Sequence, residues 1–404
     1  MATIRVDGEL ALWGGTLAVT STEHPSTVVT LAHVAGTLGG SATVLLTGQS
    51  TWTGGSMAGS GVTRIASGAV VDITGSGAVS VGGSRVLDVR GTLNWAGPTY
   101  MVGGASSALH VGAGGLFDIK NNSSTYLPVR LLSGGTLRKS SAGMTQIGTS
   151  LKNGGLVEVL SGTIAVTGPF RNFGGSTLAG GEYLLRGNLR FMGGNILTNS
   201  AVVTLDGSGA IQDPSGGDAF ANLARNARGG SLTLQGGRSM TVPGLFTNEG
   251  TLVATAGSTF SVANDAFVNA AGGLLQGTGT IDANVGSAGE VAPGLSPGVL
   301  TISGNYVQQS DGGLRIEITG FVPETEYDRL VVTGFATLGG RLTIQSAPGF
   351  LPPVGTQFNI IGGLRSGQFA TVEGDLLPNG NWYAPFYNPA NVQLIVQRGL
   401  SLRK

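Results

Sequence analysis

The chain contains no cysteine, which excludes disulfides and thiolate metal sites, and its three histidines, His24, His33 and His110, are too scattered to form a ligand set. Neither a metal nor a cofactor is therefore expected. Charge is scarce as well. Only 11% of residues are charged, and 22 Lys and Arg balance 22 Asp and Glu, so composition gives no case for nucleic acid or an anionic membrane as a partner. No stretch approaches the roughly 18 apolar residues of a spanning helix, so this segment is not expected to insert into a membrane. The opening MATIRVDGEL lacks the basic, apolar, small-residue order of a secretory signal. Two glycine-dependent motifs are missing too: the phosphate loop Gly-x-x-x-x-Gly-Lys-[Ser/Thr] and the calcium nonapeptide Gly-Gly-x-Gly-x-Asp.

What the chain has in excess is glycine, 72 residues in 404, together with 41% hydrophobic residues, too apolar a mixture for disorder. A Gly-Gly pair recurs at Gly114, Gly134, Gly154, Gly174 and Gly193, at intervals of 20, 20, 20 and 19 residues. Apolar residues follow, as in GGLFDI, GGTL, GGLVEV and GGSTL. Self-similarity at this period marks a solenoid whose coils bury their apolar faces only by stacking. Alternating runs between the glycines, such as Thr163 to Thr167 with Ile164 and Val166 on one side, read as strands. Glycine suits the corners, where φ turns positive. Looser versions of the pattern occur at Gly14, Gly36, Gly54 and Gly91. An all-β parallel β-helix with coils of about 20 residues is expected over 1–295.

Two regions break this ruler. Residues 206–230 form an excursion in which Asp218 to Arg225 reads as one or two helical turns, with Asp218 as cap and Phe220 and Leu223 on one face. Beyond Glu290 lie 9 of the 15 prolines and 11 of the 25 aromatics, so 296–404 is expected to be a β-rich end that caps open strand edges. Phe-x-Asn recurs at Phe170, Phe246 and Phe267, which predicts asparagines Asn172, Asn248 and Asn269 stacked as an amide ladder.

From Gly277 to Ile318 the sequence reads GTGTIDANVGSAGEVAPGLSPGVLTISGNYVQQSDGGLRIEI, and from Glu326 to Ile344 it reads EYDRLVVTGFATLGGRLTI. With their G-T-G-T-I, P-G-x-S-P-G, Y-D-x-L and A-T-L-G-G pieces in order, and NEGTLVATAGSTFSV before them, these segments resemble exported bacterial β-helix proteins. The likeness is to proteins with autotransporter passenger-type repeats and to filamentous-haemagglutinin-like adhesins. It covers the chain from about Leu223 onward; the first half matches in style. The resemblance implies a right-handed parallel β-helix, extracellular or at the cell surface, in which these segments are repeats and the end of the helix rather than a catalytic centre. The chain departs from the family in ending at Arg398 to Lys404 without a translocator barrel or sorting helix. Surface glycans, other extracellular polymers and self-association are the partners this implies.

Parallel β-helices also carry polysaccharide lyases and hydrolases, which gather carboxylates and a base on one face. The strongest such candidates are Asp206, Asp213 and Asp218 with Arg225 and Arg228 near in sequence, although an Asp-Pro turn at Asp213 and a helix cap at Asp218 account for two of them. Asp72, Asp88 and Asp118 lie at spacings of 16 and 30 that miss the coil period, as single outward carboxylates would. Asp328 of the Y-D-x-L piece suits a turn hydrogen bond that seats the closing strands. Trp382, Tyr383, Phe386 and Tyr387 either stack on sugars or plug the solenoid end. Ice binding needs Thr-x-Thr on successive coils, whereas Thr20-Thr22, Thr51-Thr53, Thr163 to Thr167 and Thr278-Thr280 are dispersed. A non-catalytic structural or adhesive protein is expected, with a carbohydrate-active enzyme and then ice binding as the alternatives.

Overall fold

The computed structural model describes residues 4–399 except 22, 264, 265 and 296. It is all-β: parallel strands stack as a β-solenoid with coils about 22 residues apart, slightly longer than the glycine ruler. Two compact units are present, Met1–Asn195 with Ser208–Ala219, and Ile196–Gly207 with Phe220–Lys404.

In the first unit a coil is three short strands. Met101–Gly103, Ala108–Val111 and Leu116–Ile119 make one coil, and Ser124–Tyr126, Val129–Leu131 and Thr136–Lys139 make the next. Each strand pairs in parallel with its equivalents before and after it. Alternation along the strand sends Leu109 and Val111 inward and His110 outward. Leu93, Phe117, Leu137 and Val157 stand in register on successive coils, all fully buried. Each such side chain contributes roughly 1.5–3 kcal/mol of burial, realised only once the neighbouring coil is in place. In Thr163–Val166 both Ile164 and Val166 are buried as the alternation requires.

The glycine pairs serve two needs rather than one. Gly114 and Gly134 adopt positive φ, both 73°. Their partners Gly115 and Gly135 do not; there a Cβ would collide with the carbonyl oxygens of Val89 and Val111 on the preceding coil. The ruler also ends early as a coil marker. Gly174 lies in a hairpin, Phe173–Gly174 pairing antiparallel with Thr177 and Leu178, and Leu156 finds its next coil partner at Glu182.

Two cations sit inside the first unit. Arg85 is fully buried and donates to the Ala58 carbonyl at 2.7 Å, the Gly40 carbonyl at 3.0 Å and the Thr63 hydroxyl at 3.0 Å. The buried Lys139 ammonium donates to the Asn121 carbonyl at 2.8 Å, the Ser141 carbonyl at 3.0 Å and the Ser141 hydroxyl at 2.7 Å. Burial pushes Lys139 down to about 8, against an opposing pull from Asp118.

The expected helical turns over Asp218 to Arg225 are not formed. The residues make turns, with the Leu223 N–H donating to the Phe220 carbonyl at 2.9 Å, and Asp218 forms an antiparallel bridge with Gln212 instead of a cap. Backbone donors that a helix would use internally are taken by the residue that precedes the strand Thr198–Asp206: the Ala224 and Arg225 N–H groups donate to the Leu197 carbonyl at 3.0 and 3.1 Å. Phe220 and Leu223 are buried together as their spacing implied. Arg225–Asn226 then pairs in parallel with Thr198–Asp206 and Phe246–Asn248, so the end of the excursion already belongs to the coil stack of the second unit.

That unit contains the amide ladder, longer than the Phe-x-Asn repeat implied. Asn199 donates to the Asn226 side chain at 2.9 Å, Asn226 to Asn248 at 2.8 Å, Asn248 to Asn269 at 2.9 Å and Asn269 to the Ser287 hydroxyl at 3.1 Å. The second amide hydrogens of Asn226, Asn248 and Asn269 reach the carbonyls of Thr251, Leu274 and Glu290 at 2.9, 3.0 and 3.0 Å. Phe246, Phe260 and Phe267 cluster beside it, with centroids 4.7 to 6.0 Å apart. Asn172 belongs instead to the first unit, where it exchanges two 2.7 Å bonds with the Asn153 backbone.

Parallel pairing continues past residue 295, from Val299–Ile302 to Arg329–Leu338 and on to Gln357–Gly367. Gln357–Gly367 then pairs antiparallel with Asn391–Gln397, which pairs antiparallel with Trp382–Asn388. The parallel edge is thereby converted into an antiparallel meander, which reduces the exposed template for further pairing. Of the four aromatics expected to plug this end, Tyr383 does so, fully buried against Phe358 and bonded to the Ser346 hydroxyl at 2.9 Å. Trp382 and Phe386 are exposed, and Tyr387 packs against Phe369 and lies under Arg365.

Replacing Asn248 with alanine strands donors and acceptors on both neighbours and on the Leu274 carbonyl. We expect a loss of about 2–4 kcal/mol, read from the urea midpoint at unchanged m-value, whereas Thr247→Ala on the outer side of the same strand should cost less than about 0.5 kcal/mol. Because the folded-state pKa of Lys139 is depressed, stability from this group is present above the unfolded value of about 10.4 and is lost as pH falls to about 8. Lys139→Met should remove that part of the pH dependence of the thermal midpoint, and a slope between pH 8 and 10 identical to the parent's would contradict the assignment.

Candidate binding site

The acidic candidates divide between the two units, and the carboxylates of Asp206 and Asp213 are held by structural partners. In the first unit Asp213 closes a tight turn: one carboxylate oxygen accepts from the Ser215 hydroxyl at 2.6 Å, the Ser215 N–H at 2.8 Å and the Gly217 N–H at 2.9 Å. These bonds, led by that of the Ser215 hydroxyl, hold it below the usual carboxylate range. Asp218 provides the bridge to Gln212. In the second unit Asp206 accepts from the Gln235 amide at 3.1 Å, and Arg225 makes a two-pronged pair with Glu249 at 3.0 and 2.6 Å. Arg225 in turn lowers the Glu249 pKa. Arg225 and Glu249 are thus committed to each other, and Asp213 to its own turn.

Asp88 and Asp118 face outward, as their spacing suggested, but neither stands alone in solvent: neighbouring side chains cover both. Asp88 accepts from Arg64 at 2.7 Å and Arg90 at 3.0 Å. Asp118 accepts from the Ser140 hydroxyl at 2.7 Å and has Lys120 at 3.8 Å. Unequal coil lengths hid the register: Asp72 and Asp118 flank Asn94 in one row, while Asp88 stands in another. In the second unit the buried Asp328 accepts from the Gly298 N–H and the Glu317 N–H, both at 2.8 Å, tying a proline-rich loop to the strand Gly313–Ile318. Ser296 of the P-G-x-S-P-G piece lies outside the described residues. So does Thr22 of the Thr20-Thr22 pair. Single threonines do stack on successive coils at Thr259, Thr280 and Thr301, in one file rather than as Thr-x-Thr.

Two outward rows of the first unit carry its charge, and they differ. Along the strands Thr92–Trp95, Leu116–Ile119, Thr136–Lys139 and Leu156–Val159 the row runs Asn94, Asp118, Arg138, Glu158. Opposite charges alternate, and Arg138 meets Glu158 at 2.6 Å. Along Val62–Ile65, Val86–Val89, Ala108–Val111, Val129–Leu131 and Leu151–Asn153 the row runs Arg64, Asp88, His110, Arg130, Lys152. Arg171 follows, since Phe170 bridges Leu151 in parallel and the Arg171 N–H donates to the Leu151 carbonyl at 2.8 Å. After Asp88 this row contains no acid. Arg130, Lys152 and Arg171 are exposed and His110 half-buried. Among the described residues none of the three exposed cations has a carboxylate partner. Burial, and next the field of Arg130, lower the His110 pKa.

The four side chains border an open groove whose floor is small, formed by Ala108, Pro128, Val129 and Ser150. Like charges directly opposite across paired strands are destabilising, so this stretch of surface is less favourable for folding than its alternating neighbour. The row was detectable in the sequence, because His110, Arg130, Lys152 and Arg171 recur at 20, 22 and 19 residues, the same period as the glycines. It contains no acid after Asp88 and matches no catalytic motif. Compared with protein-family models and with curated proteins, the chain matches none.

Burial raises the Asp328 carboxyl to about 6. Its folded pKa thus exceeds the unfolded value of about 3.9, so the stability it contributes is full below about pH 4 and lost as pH rises to about 6. Carbon-13 shifts of labelled aspartates should show one carboxyl titrating near pH 6 that disappears in Asp328→Asn; a parent spectrum with every aspartate titrating near 4 would contradict this.

Proposed function

We propose that the protein is a non-catalytic β-solenoid that acts outside the cell or at its surface as a structural or adhesive protein. The observation that carries this reading is the contrast between the acids and the cations. Acids that would serve a lyase or hydrolase, Asp88, Asp118 and Asp213, are spent on ion pairs, hydroxyls and turns, whereas an exposed cationic row is left without internal partners. Such a row attracts and holds an anionic ligand, and after Asp88 it offers no carboxylate to pair with His110 as general acid and base. The likeness of Gly277 to Ile344 to exported β-helix repeats supports the extracellular setting.

The test has two parts. Purified protein is incubated with a panel of acidic and neutral polysaccharides while reducing ends and unsaturated uronates are followed, and protein-coated beads are assayed for retention on glycan-coated and cell surfaces. Retention without turnover is expected. Turnover abolished by Asp213→Ala or Asp218→Ala would overturn the reading in favour of a carbohydrate-active enzyme, and absence of retention on every surface would remove the adhesive role.

A further inference from the structure

We propose that the row His110, Arg130, Lys152 and Arg171 binds a linear acidic polysaccharide whose chain runs across the strands, along the direction in which coils stack. This rests on the adhesive reading and names the ligand class of the same site. Four observations lead to it.

The first is charge without compensation. In a molecule whose formal charges cancel, the neighbouring row pairs Arg138 with Glu158 and the same row pairs Asp88 with Arg64 and Arg90. Only after Asp88 does the pairing stop, and three exposed cations follow one another. Stacking like charges costs stability, and an anionic ligand offsets that cost.

The second is spacing. Paired strands are about 4.8 Å apart, so Arg130, Lys152 and Arg171 form a file with one charge on each of three successive coils. A compact anion engages one or two of them. A chain that repeats its anionic groups along its length engages Arg130, Lys152 and Arg171 together, with the His110 imidazole N–H at the end of the row, and the losses of translational freedom are met once for the whole chain.

The third is the floor. Ala108, Pro128, Val129 and Ser150 leave an open groove that the cations border along one side. The file is a single residue wide, which suits a strand-like polymer rather than the plane of a bilayer.

The fourth separates glycan from nucleic acid. Single-stranded nucleic acid is held by aromatic platforms on which bases stack as well as by charge. His110 is the single ring among the residues that line this groove, with no Phe, Tyr or Trp to extend it into a platform for successive bases, whereas carboxylates or sulfates on a sugar chain need only the cationic file and the Ser150 hydroxyl beside it.

The experiment uses the full chain and immobilised polygalacturonate, dextran sulfate, neutral dextran, poly-glutamate and a single-stranded DNA oligonucleotide. Polygalacturonate and dextran sulfate represent the carboxylate and sulfate forms of the ligand. At least one of them should bind, with affinity falling as salt rises, and neutral dextran should not. Arg130→Glu and Lys152→Glu should each weaken binding by about tenfold or more, while Arg341→Glu, which changes net charge equally at an exposed position of the second unit, should leave it within about twofold. Lys152→Glu should also raise the thermal midpoint, because the new carboxylate sits between Arg130 and Arg171. Higher stability with lost binding shows that the loss is not misfolding.

Three results would overturn the proposal: no preference for either acidic glycan over neutral dextran, equal weakening by Arg341→Glu and Lys152→Glu, or tighter binding to poly-glutamate or DNA than to both acidic glycans. If acidic glycans fail while coated beads are still retained on other surfaces, the ligand assignment falls and the broader adhesive reading stands.

Discussion

Parallel stacking at about 4.8 Å places every side chain of a coil beside its counterpart on the coils before and after it, so no residue is chosen alone. A residue that packs well against its own kind is repeated at a modest cost, and one that repels its own kind must be alternated or compensated. The inner rows obey this through aliphatic and aromatic columns such as Leu93, Phe117, Leu137 and Val157. The buried polar row of the second unit obeys it through asparagine, whose amide donates to one neighbour and accepts from the other, so the pattern propagates from Asn199 to Asn269 without an unsatisfied member.

The same constraint makes charge informative. Each outward row of a solenoid is a column of nearest neighbours, and the column through Asp118, Arg138 and Glu158 alternates in sign. Where a column does not alternate, the energetic penalty has to be balanced outside the fold, which is why the run from His110 to Arg171 reads as a surface made for an anionic partner. Inside the first unit, by contrast, isolated cations are tolerated because backbone carbonyls at coil corners converge on them. Arg85 and Lys139 are solvated by the chain itself rather than by acids.

Glycine answers the same geometry from the backbone side. Gly134 supplies a positive φ and Gly135 leaves room for the Val111 carbonyl of the neighbouring coil, so the pair is a record of close coil contact as much as of turning. Its regularity holds only while coils have equal length. Once a hairpin is inserted at Phe173 to Leu178, Gly174 keeps its place in the count and loses its place at a corner.

The sequence by itself determined the solenoid, because period, alternation and glycine at corners are all local properties written at fixed intervals, and Phe246, Asn248, Phe267 and Asn269 announced part of the buried ladder. It also held the cationic file at 20, 22 and 19 residues. What only the tertiary structure decided is which residues share a row. Coils of unequal length put Asp72 beside Asn94 and Asn94 beside Asp118, brought Asn199 and Asn226 into the ladder from outside any Phe-x-Asn motif, and drew the backbone of Ala224 and Arg225 to Leu197 instead of into a helix. Register is a relation between coils, set by where loops lengthen or shorten, and the chain order alone does not fix how much of each loop is spent before the next strand begins.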